Sequence, residues 1–352
     1  EHANSLAELL FSNINSKGFQ GIAPQSQAVF FNTDNFWQEF AENCPQINLS
    51  LHPYALNPGW QNANAKNGKL FWSGLEEVSK KEDYNFGFYG SACAELDNIA
   101  LNAPHYLICK AAGNDRGDGE GEVDHPVDGG ALGYDCIGFK GNAKNILTVG
   151  AVVDVIGGYS GNPSDVAMTT FSSWGPADDG RIKPDICGNG YNLYSTYDDN
   201  NTAYNSISGT SMATPSVAGS VALLIQHWES VYGVGSKMRS ATAKAIIIHT
   251  ADESGINTGP DYQYGWGLMN TENAALKISE DTTTDVILEG YLADGETYTR
   301  NITTTGTSPI KATLVWTDMP GTPPAASLDP TDIMLVADLD IKITQSTNTY
   351  YP

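Results

Sequence analysis

One short stretch of the chain, Ser208-Gly209-Thr210-Ser211-Met212-Ala213-Thr214-Pro215, has residues that could perform nucleophilic chemistry. Thr210, Met212 and Ala213 would hold Ser211 in a tight turn, and Gly209 would let a bound substrate approach the backbone closely. From Val217 onward apolar residues recur at helical spacing, which predicts a long buried helix with Pro215 in its first turn, where a missing N–H costs little. Ser211 would then lie at a helix N-terminus, where unpaired amides and the helix dipole favour negative charge. The alternative is an ordinary N-cap serine that opens a core helix.

The composition limits the partners that this protein can have. The 352 residues include 18 basic and 41 acidic ones, which gives a net charge of −23 and a pI near 4.4. Such a surface repels nucleic acids and anionic membranes and tolerates cations, of which calcium is the one expected outside the cell. No apolar run reaches the ~20 residues of a membrane span. The five cysteines form no Cys-x-x-Cys pair, which disfavours a zinc site, and their odd number suggests at least one buried free thiol.

The elements that must position Ser211 alternate along the first part of the chain. Helical periodicity is found at 1–12, 36–44 and 93–102, and short apolar runs typical of strands are found at 27–31, 46–51, 106–112 and 146–152. This alternation predicts an α/β fold, with a parallel sheet flanked by helices. Binding residues are then expected at the carboxyl ends of the strands, where Ser50, Asn114 and Ser211 fall. Residues 52–83 are expected to form a loop with one helix near Leu75.

The composition and the hydrophobic pattern of the sequence change after Thr250. The segment 271–277 is expected to be the last helix of the α/β part, and the following residues are rich in threonine and alternate in polarity. Strands are predicted at 285–288, 298–303, 312–316 and 339–344. We therefore expect an α/β domain over 1–277, followed by a partial β-sandwich over 278–352.

The stretch around Ser211 resembles the nucleophile motif of the subtilisin-like serine proteases. It differs from the Gly-x-Ser-x-Gly elbow of the α/β-hydrolases, because Ala213 stands where the second glycine of that elbow would be. The resemblance covers residues 1 to about 277, with further segments similar to family signatures at 146–151, 170–176, 179–186 and 249–251. The C-terminal part is similar to the jelly-roll domain that follows the catalytic domain in bacterial members of the family.

The resemblance implies a catalytic site made of residues that are distant in the sequence. Ser211 would be the nucleophile, and His2 would be the general base. The run after His2 matches the family's histidine motif in part, because Ala3 and Asn4 replace the usual glycine and threonine. Asn114, at the end of a strand similar to the family's Ala-Ala-Gly-Asn strand, would form the oxyanion hole with the Ser211 backbone amide. A plain Gly-Asn turn is the alternative for Asn114.

The resemblance also implies a substrate cleft. Ile47-Asn48-Leu49-Ser50-Leu51 is similar to the family strand that pairs with the substrate backbone, with 111–113 as the facing wall. His52 stands where the family usually has glycine. The substrate-binding residues implied in this way are Ser50, Leu51, His52, Ala111, Ala112, Gly113, Gly209 and Thr210.

One member of the family's triad is missing from the sequence. The family's aspartate precedes its histidine by roughly thirty residues, and residues 1–352 contain no Asp-Ser-Gly or Asp-Thr-Gly strand end. We therefore expect this aspartate upstream of Glu1. Residues 1–352 alone are expected to be nearly inactive, because the aspartate holds the histidine in the right tautomer.

These features predict a secreted serine endopeptidase, extracellular or periplasmic in a bacterium, that cleaves peptides or proteins through an acyl-enzyme on Ser211. No cofactor is expected for the chemistry. A structural calcium ion would suit the acidic loop 115–128 or the segment 338–340, where a solvated acidic loop is the alternative. The rival functions are a family member that binds peptide strands without cleaving them and, more weakly, an esterase or lipase. The metal ligands, the oligomeric state and the preferred P1 residue are not indicated.

Overall fold

The computed structural model of this chain describes residues 2–11, 20–26, 49–52, 58–62, 70–119, 124–200, 202–304, 306 and 309–352. The strand predicted at 27–31, the helix predicted at 36–44 and Cys44 lie outside these residues. The other four cysteines are buried free thiols: Cys93, Cys109, Cys136 and Cys187. Within the described residues, no helix combines the length and the apolar character needed to cross a membrane.

A four-stranded parallel sheet lies at the centre of the fold. Its strands are β1 (Leu49–His52), β4 (Leu107–Ala111), β5 (Leu147–Val152) and β6 (Ile186–Asn189), paired in the order β1-β4-β5-β6. Every residue of β4 and β5 is buried. A parallel strand that is covered on both faces can be apolar throughout, which explains why these two strands read as continuous apolar runs. The predicted parallel sheet is confirmed.

Helices cover both faces of this sheet. The helices are α1 (His2–Phe11), α2 (Ser91–Asn102), α3 (Thr210–Tyr232), α4 (Ser240–Thr250) and α5 (Thr271–Thr284). Successive residues of a strand point to opposite faces. In β4, Leu107 and Cys109 pack in the cluster that contains α3, whereas Ile108 packs in the cluster that contains α2. The flanking helices that the sequence predicted are therefore present on the two sides.

The helix that carries Ser211 is the central helix of the fold. It runs for 23 residues, contacts all four strands of the sheet and packs against α1 and α5. It begins at Thr210, so the prediction that Pro215 lies in its first turn is wrong, and Pro215 lies inside the helix. A proline there has no N–H to donate to the carbonyl of Ser211, four residues earlier. All residues from Thr210 to Pro215 are buried. Their packing, and not the local preference of proline, determines where the helix starts.

Helix α1 is held tightly against α3. Leu6 and Leu10 are buried, and a Cβ on Gly219 of α3 would lie only 2.8 Å from Leu10 Cδ1 and from Ile22 Cβ. The glycine thus permits the close approach of the two helices. The backbone N–H of Ile22 donates to Leu9 O, so the segment after α1 also returns to this helix.

The polypeptide after Thr271 differs from the prediction. Helix α5 ends at Thr284 instead of Lys277, because Ile278 continues its buried face. The serine and threonine hydroxyls of the last turns donate to carbonyls three or four residues earlier, as Ser279 does to Ala275 O. Among the described residues, only 343–344 of the four predicted strands fall in a strand, in the hairpin of β9 (Ile343–Gln345) and β10 (Asn348–Tyr350). Strand preference is realised only where a neighbouring strand offers partners. The division into two domains stays a prediction.

Part of this C-terminal segment is anchored on the α/β core. The ammonium group of Lys144 contacts Asp318 Oδ2 at 2.6 Å and also donates to Met319 O and Met334 O. Asn145 exchanges two hydrogen bonds with the backbone of Asp318. Both members of the ion pair are buried, so this contact fixes the segment firmly to the core.

Two small hairpins complete the described structure. The first, β2 (Trp60–Asn62) with β3 (Leu70–Trp72), replaces part of the predicted loop, and the expected helix near Leu75 is a single turn. The second, β7 (Leu193–Thr196) with β8 (Tyr204–Ile207), leads directly into α3.

Candidate active site

Ser211 lies in the first turn of α3, as predicted. The N-cap residue Gly209 accepts hydrogen bonds from the N–H groups of Met212 and Ala213, and its own N–H donates to Gly190 O at 2.8 Å. Ser211 is 8% exposed, so it is nearly buried at the point where strand β8 turns into the helix. The amides at this end of the helix and the helix dipole both favour negative charge beside it.

Asn114 lies at the end of the segment after β4 and is bound to the same helix end. Its Oδ1 accepts hydrogen bonds from Thr210 N at 2.8 Å and from Thr210 Oγ1 at 2.9 Å. The backbone N–H can only donate, so the atom that faces it must be the amide oxygen. The side-chain amide of Asn114 is therefore held in one orientation, with its Nδ2 directed away from Thr210.

Gly209 keeps a small space open in front of two donors. A Cβ on Gly209 would lie 3.5 Å from Asn114 Nδ2 and 3.7 Å from Ser211 N. A single point is thus close to both nitrogen atoms. Met212 Sδ also lies 3.4 Å from this point. Two nitrogen donors so close to one point could together stabilise the oxyanion that forms when a serine hydroxyl attacks a carbonyl.

Gly113 brings the Asn114 segment up to the nucleophile helix. Its N–H donates to Thr210 Oγ1 at 3.3 Å, and its carbonyl accepts from Ser173 N at 3.0 Å. Its φ of +120° and the position of its missing Cβ, 2.5 Å from Asp115 Oδ2 and 2.8 Å from Ser173 Oγ, leave no room for a side chain. Glycine is required at this position.

Asp115 follows Asn114, the candidate donor to the oxyanion, and is fully buried. Its Oδ2 accepts from Ser173 Oγ at 3.2 Å, whereas its buried Oδ1 has no hydrogen-bond partner. Burial, with a smaller effect from the charge of Asp118, raises the pKa of Asp115 to about 7. The carboxyl group therefore changes its charge near neutral pH, directly behind Asn114.

A cleft of about 280 Å³ lies in front of these groups. Its described lining consists of Ser5, Asn114, Tyr197, Asp198, Ile207, Ser208, Ser211 and Met212. Three separate parts of the chain, α1, the segment after β4 and the β7–β8 hairpin with the start of α3, thus meet at this cleft.

Helix α1 provides the wall on which the predicted base is located. Ser5 lines the cleft and anchors the helix to β7, because its Oγ donates to Thr196 O at 2.5 Å and its carbonyl accepts from Ser195 Oγ at 2.7 Å. His2 lies in the same helix, three residues before Ser5, and positions i and i+3 share a helix face. The side chain of His2 lies outside the described structure.

The predicted substrate-binding residues divide into two groups. Gly113, Gly209 and Thr210 surround Asn114 and Ser211, as described above. Ser50 and Leu51 instead lie in β1, which pairs directly with β4, so that Leu51 is opposite Cys109. Ala111 and Ala112 are each 1% exposed. The strands at 49–52 and 107–110 are therefore neighbours in one sheet, and a substrate cleft between 47–51 and 111–113 stays a prediction. The side chain of His52 lies outside the described structure.

Several cleft residues were not predicted from the sequence. Ser5, Tyr197, Asp198, Ile207, Ser208 and Met212 line the cleft, and Asp198 is the carboxylate among its described lining residues. The sequence indicates this part of the cleft only through the polar run 197–203, which lies between the two short strands before the Ser211 motif. The acidic loop and the segment 338–340 do not form a carboxylate cluster suited to a metal within their described residues.

A comparison with models of protein families assigns this chain to a family. The family described as peptidase S8, subtilase, matches residues 7–267. The chain belongs to the subtilase family. The match includes the residues that place Asn114 and Ser211 together, and it begins after His2.

Curated relatives match a smaller part of this subtilase. The C5a peptidase of Streptococcus pyogenes serotype M3 is 36% identical over 113 residues, which are 32% of this chain and 9% of that protein. The PII-type proteinase of Lacticaseibacillus paracasei is 32% identical over 139 residues, which are 36% of this chain and 7% of that protein. The matched part of this chain thus spans less than a tenth of the length of these relatives.

Solved structures show the same fold. The self-cleaved protease domain of PatA has a TM-score of 0.51 at 18% identity, and the match covers 79% of this chain and 83% of that one. The patellamide maturation protease PatA has a TM-score of 0.50 at 16% identity, covering 78% and 82%. The architecture of a parallel sheet flanked by helices is therefore the subtilisin-like fold.

Proposed function

We propose that this protein is a serine endopeptidase that cleaves peptide bonds through an acyl-enzyme on Ser211. The observation that carries this proposal is that Asn114 Nδ2 and Ser211 N lie close to one point in front of Gly209, and that Asn114 and Ser211 line the same cleft. Membership of the subtilase family, whose members are peptidases, supports the same reaction.

The reaction would use three groups of this chain. His2 takes the proton of the Ser211 hydroxyl as that oxygen attacks the substrate carbonyl, and later returns the proton to the leaving amine. The carbonyl oxygen becomes an oxyanion in the space in front of Gly209, where Asn114 and the Ser211 amide donate to it. Water then hydrolyses the acyl-enzyme by the same steps. The position of His2 in α1, one turn before the cleft residue Ser5, supports its role as the base.

The orienting carboxylate is proposed to come from a segment that precedes residue 1 in the full-length protein. Residues 1–352 contain no Asp-Ser-Gly or Asp-Thr-Gly strand end, and the carboxylate in the described lining of the cleft, Asp198, is exposed on a hairpin turn. An exposed carboxylate is a weak orienting group, because water competes for the histidine. A secreted location is proposed with this activity, and no cofactor is required for the chemistry.

The rival function is a subtilase-fold protein that binds peptide strands without cleaving them. The incomplete histidine motif at Ala3 and Asn4 is compatible with this function. The two functions differ in whether Ser211 changes covalently during turnover, and this difference can be measured directly.

Peptide hydrolysis by the full-length protein and its variants tests the proposal. Ser211→Ala and His2→Ala should each lower turnover by roughly 10⁴-fold or more, since the residues of the triad act as a unit. Ser220→Ala is a matched control, because Ser220 lies in the same helix and has the same exposure of 8% as Ser211. It should keep wild-type turnover. Residues 1–352 without a preceding segment should be nearly inactive.

Equal activity of Ser211→Ala and the Ser220→Ala control would contradict the proposal. Tight binding of peptides with no cleavage by the full-length protein would support the rival function instead. Strong Ser211-dependent turnover by residues 1–352 alone would show that a carboxylate of this chain orients the base.

A further inference from the structure

A group of four acidic side chains, separate from the candidate active site, lies where four loops meet. Its members are Glu82, Asp135, Asp178 and Asp329. One carboxylate oxygen from each of Glu82, Asp135 and Asp329 lies within 4.8 Å of the other two. Asp178 adjoins them, because a Cβ on Gly87 would be 1.9 Å from Asp178 Oδ1 and 2.5 Å from Asp135 Oδ1. We call this group the acidic junction.

The carboxylate of Asp178 is buried without a partner. Each of its two oxygens has less than 1 Å² of accessible surface, and neither has a hydrogen-bond donor. Glu82 Oε1 and Asp135 Oδ1 are buried and without donors in the same way. Buried carboxylates normally accept hydrogen bonds, pair with a cation or coordinate a metal. Four buried oxygens without donors therefore require a positive charge or protons between them.

The nearby basic side chain does not supply this charge. Arg181 acts weakly on Asp178, and its ion pair is with Asp179, at 2.7 Å. Among the described residues, no ion pair therefore compensates the buried carboxylate of Asp178.

We propose that the acidic junction binds one divalent cation with the ligand preferences of Ca²⁺. Calcium takes six to eight oxygen ligands at about 2.3–2.6 Å in flexible geometry, so ligands on opposite sides of the ion are up to about 5 Å apart. The oxygens of Glu82, Asp135 and Asp329 all lie within 4.8 Å of one another, so a single ion can contact all three. Magnesium needs shorter, octahedral contacts of about 2.1 Å, and zinc prefers nitrogen and sulfur ligands. Irregular loops that supply only carboxylates therefore favour calcium.

The cation would join two parts of the chain. Asp329 belongs to the C-terminal segment, and the other three acids belong to the α/β part. The same segment is already anchored nearby, since Met334 N donates to Asp179 Oδ2 at 3.2 Å. Binding at the acidic junction would add a second attachment to the buried Lys144–Asp318 ion pair. Calcium should therefore stabilise the docked segment.

Calorimetric titration of the full-length protein with Ca²⁺, after treatment with a chelator, tests this site. Asp329→Asn should weaken the binding of one equivalent of Ca²⁺ by at least about tenfold, because it removes one charged ligand. Asp178→Asn should have a similar effect. Asp332→Asn is the matched control, because Asp332 is an exposed acid of the same segment and lies outside the acidic junction. It should bind Ca²⁺ as the wild type does.

The melting temperature is a second measurement. It distinguishes a cation site from a group of carboxylates that only supports the fold. With Ca²⁺ present, Asp329→Asn should melt below the wild type. With chelator present, it should melt at or above the wild type, because the variant removes one of four crowded negative charges. The reversed order of the two proteins in the two buffers is the signature of a cation site.

Three results would overturn the proposal. One is the absence of Ca²⁺ binding by the wild type up to millimolar concentration. Another is the same Ca²⁺ affinity in Asp329→Asn, Asp178→Asn and the Asp332→Asn control. The third is binding of Mg²⁺ as tight as that of Ca²⁺ at these residues.

Discussion

Asn114 has two separate roles in the structure, and two substitutions can distinguish them. Its Oδ1 accepts from Thr210 N and Oγ1, which holds the start of α3, and its Nδ2 faces the space in front of Gly209. Asn114→Ala removes both functions. Asn114→Asp keeps an acceptor for Thr210 and replaces the donor with a negative oxygen. The two variants should therefore change stability and turnover in different orders.

The expected magnitudes follow from these contacts. In Asn114→Ala the buried N–H of Thr210 loses its acceptor, which should lower the free energy of unfolding by about 1–3 kcal/mol. Turnover should fall by roughly 10²–10³, the loss known for removing one such donor in subtilisin, with little change in KM. In Asn114→Asp the carboxylate at the helix N-terminus should keep stability near that of the wild type.

The aspartate variant should nevertheless be the less active of the two. A negative charge at about 4 Å from the developing oxyanion costs about 4 kcal/mol at an effective dielectric constant near 20, or roughly a further 10³ in rate. Urea unfolding and steady-state peptide hydrolysis of the full-length variants measure both effects. Higher turnover of Asn114→Asp than of Asn114→Ala would refute the reasoning, since activity would then follow the integrity of the helix start and not the donor.

Three further changes probe other contacts. Gly209→Ala places a methyl group in front of the two donors, so turnover should fall by about 10²-fold, and stability should fall as well because Gly209 has a φ of +158°. Unchanged turnover would place the oxyanion elsewhere. Asp318→Asn leaves the buried Lys144 without its carboxylate and should lower the free energy of unfolding by about 3 kcal/mol. The control Asp338→Asn changes an exposed carboxylate and should leave it unchanged. Equal effects of the two substitutions would contradict the firm attachment of the C-terminal segment to the core. Because burial raises the pKa of Asp115 to about 7, ionisation of this carboxyl destabilises the folded state as pH rises from about 4 to 7. Unfolding measured across this range should show the stability of Asp115→Asn rising relative to the wild type, and a constant difference would exclude the shifted pKa.

The strands and the nucleophile position could be predicted because each depends on local sequence. The run 106–112 became β4 (Leu107–Ala111), and 146–152 became β5 (Leu147–Val152), since a strand buried on both faces must be apolar throughout. Ser211 lies at a helix start, as small residues followed by helical periodicity indicated. In these places local pattern and global packing agree.

The rest depends on contacts between residues far apart in the sequence. The threonine-rich run 279–284 is typical of the start of a β unit, yet α5 continues through it because Ile278 is buried in the core. The acidic junction combines residues 82, 135, 178 and 329, and no spacing rule relates them. The cleft residue Asp198 was missed because its hairpin has only short strands.

The most direct test of the central claim is labelling of the full-length protein with a fluorophosphonate probe, followed by peptide mapping with mass spectrometry. The probe reacts only with a serine whose hydroxyl is activated and whose oxyanion hole is formed. We expect one adduct, on Ser211, which is absent in Ser211→Ala and strongly reduced in His2→Ala. An adduct on another serine, or no adduct on a protein that cleaves peptides, would contradict the assignment of Ser211 as the nucleophile.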